Sequence, residues 1–591
     1  MTARTRRRKG RTARRPGHLV VALLVVMQQT AFPAVITVDG GCTLVDAIDA
    51  ANTDMAVGGC TAGSGADEIH LSGDVTLTEV NNTLDGLGNG LPSVSTDITI
   101  KGNSFTVMRD GGAMVPEFRI FHVGPTGTLT LDNTTVSNGA LHDAAGILNY
   151  GGSLTLNNST VTGNTATDSG GGVFNNGGIA GLTNSTVSDN TASFGGGVVN
   201  VNGTLTLTNT TVSGNTVGVA GGGIANAAIL TLTSSTVSGN TATTRGGGIL
   251  NGYFGYYGAG LYVYDSLVSD NTATYAGGGI YNIASNLTVT RTTVSENAAL
   301  YAGGGIGTYG GTVVVTDSTI SGNSVTPNPI DVALGGGLSA RGSAGTATLT
   351  NTTVSGNTAV DPLDYSLRGF GGGIFNGISM TLTNTTVSGN TASPSSAGPD
   401  GGGIFNGYSA PLSLINSLFA NTMGGNCGGD PVTDGGNNFA TDMTCGTIPD
   451  TLTGLDPVLK DNGGPTMTHE ILAGSNAIDA AGPCGLPEDQ RGAGRVGDCD
   501  SGAFEFIGCS PLVLANDVIT SPVTWYTCHT AQLGPDFSVE MPGSFTLFAG
   551  AMVGLDNGVH FGLDAPVTLG IDPNLQILSP ESLTLQGRSS P

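Results

Sequence analysis

"GGGIANAAILTLTSSTVSGNTATTR", residues 221–245, is one copy of a phrase that recurs down most of the 591-residue chain. Its "SGNTA" tract places Asn164, Asn190, Asn215 and Asn240 at steps of 26, 25 and 25, and continues through Asn271, Asn297, Asn323, Asn357, Asn390 and Asn421 with longer, insertion-bearing steps. A triple glycine and an aliphatic follow most copies, at 195–198, 221–224, 246–249, 277–280 and 303–306. Self-similarity at a fixed period of about 25 residues is the mark of a solenoid. Inside each unit "LTLTNTTV" alternates apolar with Thr, the period of a half-buried strand, so Leu205, Leu207 and Val212 are expected to face inward. Short strands, Gly and Asn at the corners, and no helical pattern predict an all-β chain forming a right-handed parallel β-helix. About ten to thirteen coils stacked at ~4.8 Å would make a rod roughly 50–60 Å long.

The repeated Asn is expected to take the left-handed turn of its "GN" corner and to hydrogen-bond its counterpart one coil away, while the triple glycine permits a corner that a Cβ would block. The sequons "NTT" and "NST" read as turns in repeats this regular. Asp189 and Asp270 fill the corner-glycine slot of "SDN", a backbone geometry that Asp tolerates.

Only 11% of the residues are charged and 98 are Gly, so ordinary globular packing does not set this composition. The net charge is −25, and eight of the 19 basic residues lie before residue 16, ahead of the apolar run "HLVVALLVVM". That order reads as a secretory signal over residues 1–34, too short for a membrane span, and it places the protein outside the cell or at its surface. The remaining acidic chain lacks the basic footprint that nucleic acid, anionic lipid or acidic polysaccharide needs.

Eight cysteines, an even number, agree with export, and they lie as sequence neighbours. The simplest pairing joins Cys42 to Cys60, Cys427 to Cys445, Cys484 to Cys499 and Cys509 to Cys528.

Three tracts resemble known families. The "VSGNTA…GGGI" repeat over residues 130–425 is similar to that of polymorphic outer-membrane proteins, which implies a β-helical surface passenger. "CTLVDAIDAAN" (42–52) resembles the CSLREA motif of exported bacterial β-helix proteins, with Val45 and Asp46 where that motif has Arg and Glu. "DPVLKDNGGPTMTHEILAGSNAIDAAGPC" and "DQRGAGRVGDCDSGAFEF" resemble the choice-of-anchor type of C-terminal domain, whose biochemical role is undefined. The expected organisation is a signal (1–34), an N-terminal cap with first coils (35–110), repeats (111–425), a choice-of-anchor-like domain (426–506) that closes the rod, and a short β-stack (507–591).

An enzyme is weighed because β-helices commonly host polysaccharide lyases and hydrolases, but fold alone is analogy. Arg245, Arg291, Arg341 and Arg368 have no acids in register beside them, so no catalytic residue is assigned. Asp498, Asp500 and Glu505, with Asp456 and Asp461, are where calcium could sit, yet their spacing fits no calcium loop and no cofactor is required. The unusual surface is aromatic. The insert "NGYFGYYGAGLYVYD" brings Tyr253, Tyr256 and Tyr257, and Tyr275 and Tyr301 precede equivalent triple glycines 26 residues apart, so their rings should stack. With Arg245 they form the candidate binding site, for a neutral sugar face or a cell-surface protein. The function expected is non-catalytic adhesion or ligand binding; the alternative is a secreted polysaccharide lyase or glycoside hydrolase.

Overall fold

The computed structural model describes residues 33–84, 86–252, 258–327, 332–360, 369–393, 400–421 and 423–507, with short strands between 512 and 587. One coil shows how the repeat is used. Strands Ile147–Tyr150, Ser153–Asn157, Thr160–Thr162 and Thr165–Ala166 run in succession, and a glycine corner leads into Val173–Asn176 of the next coil. Each of these strands pairs in parallel with its counterpart one unit on, as Leu154 with Ala180 and Val161 with Val187. The first two strands of each coil build a 23-stranded sheet, the third a 14-stranded sheet and the fourth a 10-stranded sheet. The chain is therefore a right-handed parallel β-helix, and its 14-stranded sheet spans roughly 60 Å at ~4.8 Å per strand.

The inward positions are those that alternation selects. Leu205, Leu207, Val212 and Ile224 are fully buried, and each such side chain contributes about 1.5–3 kcal/mol on burial. The repeated Asn makes the expected hydrogen bond to its counterpart one coil away, but it points into the rod instead of taking the left-handed turn. Asn164, Asn190, Asn215 and Asn240 are fully buried. Asn190 Nδ2 donates to Asn215 Oδ1 at 3.0 Å, and Asn215 Nδ2 to Asn240 Oδ1 at 2.9 Å. The left-handed conformation falls on the residue before it: Gly163 (φ 65°), Asp189 (φ 56°), Gly214 (φ 65°), Asp270 (φ 57°) and Glu296 (φ 55°). The sequon asparagines Asn158, Asn184 and Asn209 are also left-handed turn residues, at φ 47–50°. A second buried ladder, Asn149, Asn175, Asn200, Asn226, Asn251 and Asn282, runs behind the glycine corner.

The triple glycine is a steric necessity. Gly221 has φ 70°, and a Cβ on Gly222 would lie 2.2 Å from the carbonyl oxygen of Gly247 in the next coil.

The N-terminal end carries a helix that the repeat periodicity does not announce, Leu44–Thr53, capped by Thr43 and burying Leu44, Ala47, Ile48, Ala50 and Ala51. The Cys42–Cys60 disulfide brackets it. At the other end Cys427–Gly429, Thr433–Asp434 and Phe439–Ala440 extend the coils. The chain beyond them folds back along the side of the rod. Thr319 Oγ1 donates to the Met467 carbonyl, Thr353 Oγ1 to Gln490 Oε1, Arg495 Nη2 to Asn351 Oδ1, and the Ala503 amide to Thr386 Oγ1. Thr319, Thr353 and Thr386 are buried as a result, whereas Thr160, Thr186 and Thr211 at the same place in earlier coils are half-buried. Disulfides Cys427–Cys445 and Cys484–Cys499 pin this segment. The Cys509–Cys528 pair lies outside the described residues. Strands between 512 and 587 pair in parallel, as Leu512 with Ala531 and Thr530 with Met552.

Candidate functional site

The glycine corner has an outer side as well as an inner one. The residue just before each triplet and the residue just after its buried aliphatic project outward from two walls that meet there. One column runs Ala220, Arg245, Ala276, Ala302, Leu334, and the other Leu250, Tyr281, Gly307, Ser339, Phe375, Phe405. Ala220, Leu250, Ala276, Tyr281, Ala302, Leu334 and Phe375 pack into an apolar cluster separate from the main core. Such a satellite cluster fixes the two walls against each other.

On this base stands a column of four side chains. The Tyr275 and Tyr301 rings stack at 4.9 Å between centroids, as their one-coil spacing requires. The Arg245 guanidinium lies 5.0 Å from the Tyr275 ring and 5.5 Å from Tyr281, and the Arg341 guanidinium lies 4.8 Å from Tyr301. The order along the rod is Arg245, Tyr275, Tyr301, Arg341, one member per coil. Both faces of each tyrosine in the column are thereby covered, leaving ring edges and hydroxyls outward. Tyr275 is 38% exposed, and Tyr309, which pairs with Arg341 in register, is 57% exposed.

Electrostatics single out the two arginines. Lys101 pairs with Asp132, Arg291 with Asp265, Lys460 with Asp456 and Glu470, Arg491 with Asp489, and Arg495 with Glu505. Among the described residues Arg245 and Arg341 have no carboxylate and no hydrogen-bond acceptor, and the Nε of each is buried without a partner. Burial pushes the Tyr281 hydroxyl pKa up, while the charges of Arg245 and Arg341 pull it down.

Toward the C-terminal end the corner continues in aromatics. Phe370 and Phe405 lie 4.5 Å apart, and Phe375 stands edge-on to Tyr408 at 5.9 Å. Tyr408, 77% exposed, borders an open cleft of about 490 Å³ lined by Gly342, Gly345, Gly377, Ile378 and Ser379, beside Arg341.

Of the residues singled out from sequence, Arg245, Tyr275 and Tyr301 come together here; Tyr253, Tyr256 and Tyr257 lie outside the described residues. Arg341 and Tyr281 complete the group and were not anticipated as part of it, although aromatics flanking the triple glycines are visible in the sequence. Arg291 sits at a different corner, held in two hydrogen bonds of 2.6 and 2.9 Å by Asp265. Among the acids considered for calcium, four accept from protein donors. Glu505 takes Arg495 Nη1 and the amides of Val496 and Asp500; Asp500 takes the Asp479 and Phe506 amides; Asp456 takes Lys460; Asp461 takes the Gly463 amide. His142, Asp143 and Asp168, one coil apart near the start of the glycine corner, bring their ligand atoms within 4.8 Å and could hold a metal ion. The Asp143 carboxylate, 2.9 Å from His142 Nδ1, raises that imidazole's pKa.

No family model matches the chain, and no curated protein matches it. Among solved structures the chain is similar to the pectate lyase Pel9A, at 13% sequence identity and a TM-score of 0.26, over 74% of this chain and 88% of that one.

Proposed function

We propose that the protein is an exported, non-catalytic binding rod, at or released from the cell surface, whose ligand lies along the outer glycine corner between Arg245 and Tyr408. The observation that carries this reading is the Arg245, Tyr275, Tyr301, Arg341 column. It is a preorganised row of donors and ring edges on a repeat otherwise lined by Thr, Asn and Ser. Arg and Tyr anchor binding surfaces because they offer large area and directed donors at low entropic loss. Three disulfides support an oxidising compartment, and among the described residues no helix is long and apolar enough to cross a membrane.

The test is retention of the protein on immobilised polysaccharides and on whole cells. The double variant Tyr275→Ala with Tyr301→Ala is expected to lose at least about tenfold in affinity, a loss of 1.4 kcal/mol. Tyr262→Ala, on a strand face that pairs with Thr231 and Thr288 away from the corner, is expected to bind as the parent does. Equal binding by all three proteins would remove the corner from the account.

A further inference from the structure

We infer that the corner is selective for a carboxylated polysaccharide, an extended chain whose acidic groups engage the guanidinium groups of Arg245 and Arg341; this rests on the binding reading above. Three observations lead to it. First, the stacked tyrosines offer no free ring face, because each is covered by its partner on one side and by an arginine on the other. A neutral sugar that binds by laying its apolar face on an aromatic ring has nowhere to do so on this pair. What the column presents instead is guanidinium N–H groups and phenolic hydroxyls.

Second, the Arg245 and Arg341 guanidinium groups lie 4.8–5.5 Å from the column's rings, and neither has a carboxylate among the described residues of a chain with 44 acidic side chains. Arginine at a partly buried position ordinarily finds a carboxylate, and here a ligand would supply it. The overall negative charge does not prevent this, since charges beyond about 8–10 Å are largely screened at physiological salt while the column acts at contact. The acidic exterior opposes an acidic polymer most at low salt and least at physiological salt, so the proposal departs here from the exclusion drawn from net charge.

Third, the geometry favours a glycan over an acidic peptide. Arg245 and Arg341 start three coils apart, roughly 14 Å along the rod, and a polymer with a carboxylate on every unit satisfies both in any register. A peptide would gain most from adding a strand to a free sheet edge, but the strands on both sides of this corner already pair with the coils before and after them. Ala276 and Ala302 beneath the tyrosine pair are fully buried, so a bound chain would lie over the outward ring edges and hydroxyls, beside the exposed Tyr309.

The experiment is affinity electrophoresis of the full protein through gels containing alginate, carboxyl-reduced alginate, neutral glucan or poly-glutamate, at low and physiological salt. Alginate is expected to retard the protein, with carboxyl reduction and Arg245→Gln with Arg341→Gln each cutting affinity at least about tenfold. Arg245→Lys with Arg341→Lys is expected to keep part of it, because charge survives without the planar fork. Retained thermal unfolding of the Gln variant separates lost contact from lost fold. If reduced alginate or glucan binds equally and Tyr275→Ala with Tyr301→Ala abolishes that binding, the corner binds but the acidic class is wrong. Stronger retardation by poly-glutamate than by alginate would overturn the glycan in favour of an acidic peptide. Retardation unchanged in both Arg variants would overturn the role of the column, and no retardation in any gel, with no cell binding, would remove the binding reading itself.

Discussion

Asn215 shows what one residue does in this fold. Its Oδ1 accepts both the backbone amide and Nδ2 of Asn190, and its own Nδ2 donates to the Val187 and Ser213 carbonyls and to Asn240 Oδ1. Asn215→Ala would leave two buried donors of Asn190 without an acceptor. At about 1–3 kcal/mol for each unsatisfied group, the expected loss is about 2–4 kcal/mol, read from urea unfolding, and parent-like stability would show that the rung is dispensable. The sequence displays this column plainly but not its direction, since a turn residue and an interior rung recur with the same period. What separates them is which neighbour bears the left-handed φ, and Gly214, Asp189 and Glu296 bear it in its place. The same limit applies at the candidate site. Tyr275 and Tyr301 were placed by their 26-residue spacing, whereas Arg341 lies beyond an insertion on the opposite wall, where only the folded corner brings it to Tyr301.

At the scale of the element, the glycine corner and the strands it joins make different demands. A Cβ on Gly222 would collide with backbone of the next coil, and backbone cannot step aside; a Cβ on Gly218 meets nothing within 4 Å. Gly222→Ala is expected to destabilise by more than about 3 kcal/mol, and Gly218→Ala to change stability by less than about 0.5 kcal/mol. Calorimetry of the pair checks this, and equal effects would mean that coil stacking does not constrain the corner. Strand alternation and glycine triplets were legible because each coil repeats them. The helix Leu44–Thr53 was not, because it occurs once and its signal, Thr43 before a run buried at Leu44, Ala47, Ile48 and Ala51, is too short to stand out beside the repeats.

For the whole molecule, the folded-back segment 441–506 ties the last coils together through buried polar contacts. His469 is 1% exposed, with Nδ1 2.8 Å from the Asp456 carbonyl and Nε2 2.8 Å from Ser355 Oγ. Facing a carbonyl, Nδ1 carries the proton and Nε2 accepts from the serine hydroxyl. Burial lowers the pKa from its ordinary 6.5, so the folded state binds this proton less readily than the unfolded chain. Its contribution is therefore complete above pH 6.5 and is lost as pH falls through the lowered value. Asp500 acts in the opposite sense. Burial raises its carboxyl to about 7, and its contribution is present below the ordinary 3.8 and lost as pH rises through about 7. Comparing the parent with His469→Asn isolates the histidine: the variant is expected to be less stable at pH 8, with the difference shrinking below pH 6.5. A pH-independent difference would mean that the histidine is not held neutral.

The claim on which the functional account turns is that this rod binds without cutting. The most direct measurement is to incubate the purified protein with neutral and acidic polysaccharides, with calcium and with chelator, and to follow new reducing ends beside retention of the polymer. Retention of acidic polymer with no new ends is the expected result. New ends that track the folded protein would contradict it and move the search for chemistry to His142, Asp143 and Asp168 at the start of the same corner.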